Sequence, residues 1–384
     1  MRRQNRPVHK RLDQVLDRVK RTYAESPLEE IGRKFESFIE QSKAAIEAGI
    51  ARPGQEKATA DYVEDGIQSL PRDFAERFFF DSMLIQETIS DWNHGVAKLP
   101  HMIIPRYADT WGHQRVLMPP EDEDQVHLVD VILLPGRDSL DEIDLLSYPW
   151  LFHELGHTLL FRYDLDFISE FEVQLKARLN GLRLRSIADR GSTRDKSGKL
   201  IQTISNSWWP TPNQRNWAHE IAADIVALWT CGAAFLATFQ DKIEQDSIKP
   251  YAISKNHPSY EVRALALVGA SEMLGWQEHS IGIKEIIAKW SQISASRIGR
   301  NNQYIACTDP TIIEACMSCA LASCEKLKLP RCSQEMVHQV RQISSMGEPP
   351  RFGAPLLLTA WLAHNENAEA FDQWEKQTIQ KLAE

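Results

Sequence analysis

Five residues, His153-Glu154-Leu155-Gly156-His157, constrain this chain more than any other stretch. Positions four apart on an α-helix lie one above the other on the same face, so two imidazoles at that spacing can reach a single point. The surrounding segment, Tyr148 to Asp164, is largely apolar, with Ser147 as a plausible N-cap and Pro149 suited to a first turn, so it is expected to be helical. Zinc bound by two neutral imidazoles needs a third protein ligand and an open fourth position for water, and a glutamate beside the first histidine can take the proton from that water. The reading is therefore that His153 and His157 bind Zn2+ and that Glu154 is the general base. The alternative is a core helix whose two histidines merely pack or cap. A chain of this length shows the pattern by accident on the order of one time in a hundred, which favours the metal reading.

A second pair of residues supports it. In Asn216-Trp217-Ala218-His219-Glu220-Ile221-Ala222-Ala223-Asp224, two carboxylates lie one helical turn apart on an otherwise apolar segment. Glu220 is expected to supply the third ligand oxygen, and Asp224 to accept the free ring N–H of a ligating histidine and fix its tautomer. Alternatively, Glu220 caps the helix start and Asp224 faces solvent. His219 is a rival ligand, without a partner one turn on.

With these residues in hand, "HELGH" at 153–157, "EIAAD" at 220–224 and "HPSYEVRALAL" at 257–267 resemble the three signatures, in the same order, of gluzincin metallopeptidases. The likeness is greatest to the branch with the CAAX prenyl endopeptidases, the HtpX heat-shock proteases and the soluble minigluzincins. It covers roughly residues 126–267, and the first two motifs are far more specific than the third. The resemblance implies zinc on the residues matching His153, His157 and Glu220, water activation by Glu154, and ligand orientation by Asp224. It also implies that the segment from His257 lies near the metal, which makes His257, Tyr260 and Arg263 candidates for donating hydrogen bonds to the oxyanion. For His257 the plainer role is to start a helix before Pro258, and for Arg263 to form a structural ion pair. The family's membrane-embedded members carry spanning helices that this sequence lacks, so prenylated or membrane substrates are not expected.

Two runs rich in branched aliphatics and bounded by proline, "HMIIPRY" and "VHLVDVILLP", read as strands. By the family resemblance, the second is an edge strand that pairs with an extended peptide substrate; an interior strand is the alternative. The rest reads as helical. The expected fold is α+β and mainly helical: a zincin-like catalytic unit at residues 96–275, between a helical N-terminal region at 1–95 and a helical C-terminal region at 276–384. In the N-terminal region Leu28, Ile31, Phe35, Phe38 and Ile39 share one helix face. The polar stretch "ADRGSTRDKSGK" is expected to be a flexible loop.

A formal charge of −9 argues against a general nucleic-acid partner, which would meet a basic excess. The basic opening stretch has no apolar core of the secretory kind, so a cytoplasmic location is expected. The apolar run Ile221–Phe239 has spanning length but contains Asp224, and reads as one or two buried helices rather than a membrane insertion. Of the six cysteines, Cys316, Cys319 and Cys324 fall on an apolar stripe at helical spacing with Ile312 and Ala320; a second metal site that also drew on Cys307 or Cys332 is the alternative. Trp208, Trp209 and Trp217 are expected in the core, with a binding groove as the alternative. Three functional classes follow: a zinc metalloprotease acting on peptides or proteins, a regulatory protease controlled by a protein partner and aimed at one target, and a zinc-dependent binding module without turnover. Retention of Glu154 favours the first.

Overall fold

The structure is a computed structural model. It describes residues 75–93, 103–118, 127–135, 143–162, 165–188, 194–209, 216–245, 250–252, 257–296, 307–345 and 350–383, with a few isolated positions elsewhere. The expected helix face of Leu28, Ile31, Phe35, Phe38 and Ile39 lies outside these residues, apart from single neighbouring positions. The described elements are mostly helices around one small sheet. Their contacts fall into two units, one drawn from residues 1–86, 100–143 and 375–384, the other from 87–99 and 144–374. The sheet lies in the first of these units and the His153–His157 helix in the second.

In the first unit lies a three-stranded mixed sheet: β1 (Ile103–Ala108), β2 (Gly112–Met118) and β3 (His127–Pro135), in the order β1-β3-β2. β3 pairs parallel with β1, placing Ile104 beside Val131, and antiparallel with β2, placing Val116 beside Val129. β3 is therefore the central strand, and this overturns the edge-strand expectation: both of its main-chain sides are taken. Pro105, which has no N–H to give to a ladder, sits on β1, where one side needs no partner among the described strands. β2, "GHQRVLM", was not foreseen because His113, Gln114 and Arg115 break the apolar signal that marks a strand. The helix α1 (Ala75–Asn93) ends the N-terminal region, burying Phe80, Leu84, Ile85, Ile89 and Trp92 at helical spacing.

The second unit is helical: α2 (Pro149–Arg162), α3 (Leu165–Ala188), α4 (Arg194–Trp208), α5 (Trp217–Cys231), α6 (Ala233–Gln245), α7 (Tyr260–Leu274), α8 (Ile281–Ser296), α9 (Pro310–Lys326), α10 (Gln334–Ser345), α11 (Ala354–Glu366) and α12 (Ala368–Ala383), the last ending in the first unit. α5 is the centre of this unit. All fifteen of its residues are buried, and α2, α7 and α9 pack on it. Its start is set by Asn216 in extended backbone, whose side-chain oxygen accepts from Ala218 N at 2.9 Å and His219 N at 3.2 Å. Its end is set by Gly232 at φ 56°, whose N–H donates to Leu228 O at 2.8 Å. A side chain there would collide with Cys332 Sγ and Trp276, each 2.8 Å from a Cβ. The apolar run Ile221–Phe239 is accordingly two buried helices, and among the described residues no helix is long and apolar enough to cross a membrane.

Two local expectations change. Ser147 does not cap α2 through its side chain, because its hydroxyl donates to Asp144 O at 2.9 Å; the Asp144 carboxylate instead accepts from Leu146 N at 3.1 Å, forming a turn that leads into Pro149. The polar stretch before residue 200 is not all loop, since α4 begins at Arg194, within it. α9 starts with Asp309 accepting from Thr311 N at 2.9 Å and Pro310 in the first turn.

Candidate metal centre

Burial of Leu151, Phe152, Leu155, Leu159 and Leu160 fixes α2 in the core, each side chain contributing about 1.5–3 kcal/mol relative to exposure. That burial offsets the cost of placing His153, Glu154 and His157 in the same interior. Gly156 lets α2 and α5 touch: a Cβ there would stand 3.1 Å from Ala223 Cα and 3.2 Å from Val226 Cβ. The close approach brings the two sequence-predicted pairs together.

His153 Nε2 and His157 Nε2 are 3.2 Å apart. Glu220 presents Oε2 at 3.5 Å from His153 Nε2 and Oε1 at 3.4 Å from His157 Nε2. One donor atom each of His153, Glu154 and His157 lies within 4.8 Å of the others, a metal-coordinating arrangement on a helix. Bonds of 2.0–2.1 Å at tetrahedral angles put zinc-binding donor atoms about 3.3 Å apart, close to the separation of the two imidazole nitrogens and to that of each from a Glu220 oxygen, Oε2 for His153 and Oε1 for His157. Glu220 Oε1 is buried and receives no hydrogen bond from the described residues, as expected of an oxygen that serves a cation. The cluster has the form of a zinc-metalloenzyme site.

Asp224 lies one turn beyond Glu220, its Oδ1 2.8 Å from His153 Nδ1. That contact turns Nε2 of the same ring toward His157 and Glu220. Arg263 grips Asp224 with two bonds, Nε to Oδ2 at 2.7 Å and a terminal nitrogen to Oδ1 at 2.6 Å. Its guanidinium is buried among aromatic rings, 5.2 Å from the centroid of Trp150, 5.5 Å from Phe239 and 5.8 Å from Tyr260. Burial would raise the Asp224 carboxyl pKa, but Arg263 and His153 outweigh it and hold the group ionised below its ordinary range. Burial likewise opposes ionisation of Glu220, which His153, Arg263 and His257 overcome. For His153 burial disfavours the cation, yet Asp224 and Glu220 outweigh it, and without a metal its pKa is pushed up to about 9.

The third signature divides. His257 is half-exposed, with Nε2 3.7 Å from Glu220 Oε1, on the solvent side of the cluster. Tyr260 opens α7 behind the cap residue Ser259, with its ring near Phe239 and Arg263. Arg263 is engaged in its ion pair with Asp224. The rival ligand His219 points elsewhere, its Nδ1 3.0 Å from Asn216 Oδ1. Trp208 and Trp217 are fully buried and pack edge to face at 5.6 Å, and Trp208 donates to Cys307 O at 2.7 Å, so both are core. Trp209 is half-buried beneath Lys176.

All six cysteines are buried and reduced, and among the described residues the only cluster suited to a metal is the one on α2. Burial raises the thiol pKa of Cys231, Cys307, Cys316 and Cys332, the last to about 12. Trp150 was missed by the sequence reading. Its signal is its position three residues before His153, on the same helix face. Comparisons of the chain with protein-family models, curated proteins and solved structures return no match.

Proposed function

We propose that the protein is a zinc metallopeptidase of the gluzincin type, acting on peptides or proteins, with His153, His157 and Glu220 as ligands and Glu154 as general base. The observation that carries this reading is the meeting of two buried imidazole nitrogens on α2, 3.2 Å apart, with the buried Glu220 carboxylate on α5, one of its oxygens 3.5 Å from His153 Nε2 and the other 3.4 Å from His157 Nε2, and a Glu154 oxygen beside them. Zinc at such a site supplies a Lewis acid for a carbonyl and brings the pKa of a bound water toward neutrality.

The chain's own groups do the remainder. Glu154 takes a proton from the attacking water and delivers it to the leaving nitrogen. Asp224, with Oδ1 2.8 Å from His153 Nδ1, fixes the tautomer and raises the basicity of Nε2. Arg263 acts through Asp224. That leaves His257, half-exposed beside Glu220, as the donor for the developing oxyanion, with Tyr260 as its neighbour at the start of α7.

The test is metal analysis of the purified protein together with a peptide-library digest, wild type beside Glu154→Gln. The expected result is about one zinc per chain in both proteins and hydrolysis in the wild type alone. Peptide cleavage by Glu154→Gln at near wild-type rate would show that the base is wrongly assigned. Efficient cleavage of one protein with only trace cleavage of generic peptides would select a regulatory protease. Zinc-dependent binding of protein partners that stay intact would select a binding module.

A further inference from the structure

Four side chains form a closed ring beside the candidate metal centre. Trp150 packs nearly perpendicular to the His153 ring, with centroids 5.4 Å apart and planes at 78°. His153 Nδ1 meets Asp224, Asp224 is gripped by Arg263, and the Arg263 guanidinium lies 5.2 Å over the Trp150 ring. Trp150 thus touches both His153 and the cation that anchors the partner of His153. Its other neighbours are Phe235 at 5.5 Å and Phe239 at 6.2 Å, both on α6.

We propose that Trp150 is a positioning residue of the metal site, holding the His153 ring and the Arg263–Asp224 pair in one fixed arrangement. This rests on His153 being a metal ligand. The physical need is specific. The torsion that turns an imidazole about its Cβ–Cγ bond is broad, so a single contact at Nδ1 leaves the ring free to rock. A second contact on the ring removes that freedom and holds Nε2 on its target. An arginine buried without a counter-surface would also adopt other side-chain orientations, and indole offers the strongest aromatic face to a guanidinium. Trp150 spans a ligand and the support of that ligand.

The experiment uses the full chain and Co2+ as the metal probe, with dissociation constants from chelator competition, the visible absorption of the bound ion, and melting of the metal-free protein. Wild type, Trp150→Phe and Trp150→Leu are compared. The expected order of affinity follows the aromatic face: Trp150→Phe weaker by about threefold, Trp150→Leu by about tenfold or more with a changed Co2+ spectrum. In the double variant Trp150→Leu/Asp224→Asn the losses are less than the product of the single effects, because both act through His153. A folded Trp150→Leu protein with wild-type affinity and spectrum overturns the inference. If that variant fails to fold, Trp150→Phe decides: a loss supports the role, and unchanged affinity and spectrum overturn it. Failure of the underlying reading is distinct, because wild type itself would then bind no Co2+.

Discussion

Gly156 and Ala223 touch backbone to backbone: a Cβ on the glycine would lie 3.1 Å from Ala223 Cα and 3.3 Å from its carbonyl oxygen. Neither atom can yield without moving α5, the helix that bears Glu220 and Asp224. Gly156→Ala is therefore expected to destabilise the fold by about 1–3 kcal/mol and to weaken zinc binding, because the helices are forced apart where the donors meet. Denaturant unfolding and metal titration of the variant check both effects. Wild-type values for both would mean that the contact is slack.

In the proposed site Glu220 is a ligand and Asp224 the support of His153, and substitutions tell the two roles apart. Glu220→Ala is expected to lower zinc affinity sharply, and unchanged metal content would point back to His219. Asp224→Ala removes the partner of a buried arginine, which costs about 3–5 kcal/mol when a buried pair is broken on one side. Asp224→Asn keeps the shape and is expected to weaken metal binding about 10- to 100-fold. Urea melts and metal titrations of the two variants separate these effects.

With His153 as a zinc ligand, as proposed, protons compete with the metal there. In the metal-free protein its pKa is raised from an ordinary value of 6.5 to about 9, so the imidazolium stabilises the fold fully below pH 6.5 and that contribution is lost as pH rises through 9. Zinc needs the neutral ring, so each ion bound within this window displaces a proton. The melting-temperature gap between zinc-loaded and metal-free protein is expected to widen from pH 6.5 to 9. Calorimetry in buffers of different ionisation enthalpy would register the released proton; a gap that narrows with pH would contradict the assignment.

Asp309 offers a test away from the metal. It caps α9 and pairs with Arg178 of α3 at 2.5 Å. Partial burial raises its pKa, but Thr311 and Arg178 outweigh that and depress it below 3.8. With the folded pKa lowered, its contribution is complete above pH 3.8 and is lost as pH falls through the folded value. Asp309→Ala is expected to cost about 1 kcal/mol at neutral pH. The difference between variant and wild type in thermal melts is expected to be full at pH 7 and to shrink as pH is lowered below 3.8.

The thiols give a further check. With all six cysteines buried, an aromatic disulfide reagent is expected to label none in the native protein and six after denaturation. Rapid labelling of Cys316 or Cys319 in the native state would show that α9 does not pack as described.

What the sequence revealed was whatever depends on short spacing. His153 and His157, and Glu220 and Asp224, each lie one turn apart within a single helix, so their shared direction follows from helical geometry alone. The apolar stripe of Ile312, Cys316 and Cys324 was legible for the same reason. What depends on meetings between distant segments was not. Arg263 reaches Asp224 across 39 residues, and the sequence could not choose between that pair and a role at the oxyanion. β3 has the aliphatic richness of any buried strand, so its place between β1 and β2 came only from the pairing. The cap at Ser147 failed because Asp144, three residues earlier, offered a competing turn.

The bend at Gly232 has a consequence for how this chain can vary. α5 and α6 are joined by that one residue, so the carboxylates on the first rod and the phenyl groups of Phe235 and Phe239 on the second are phased to each other through it. Inserting or deleting one residue between Glu220 and the bend would rotate the two sets by about 100° relative to one another. Divergence in length is thus forbidden across Glu220–Phe239 even where side-chain identity is free to drift.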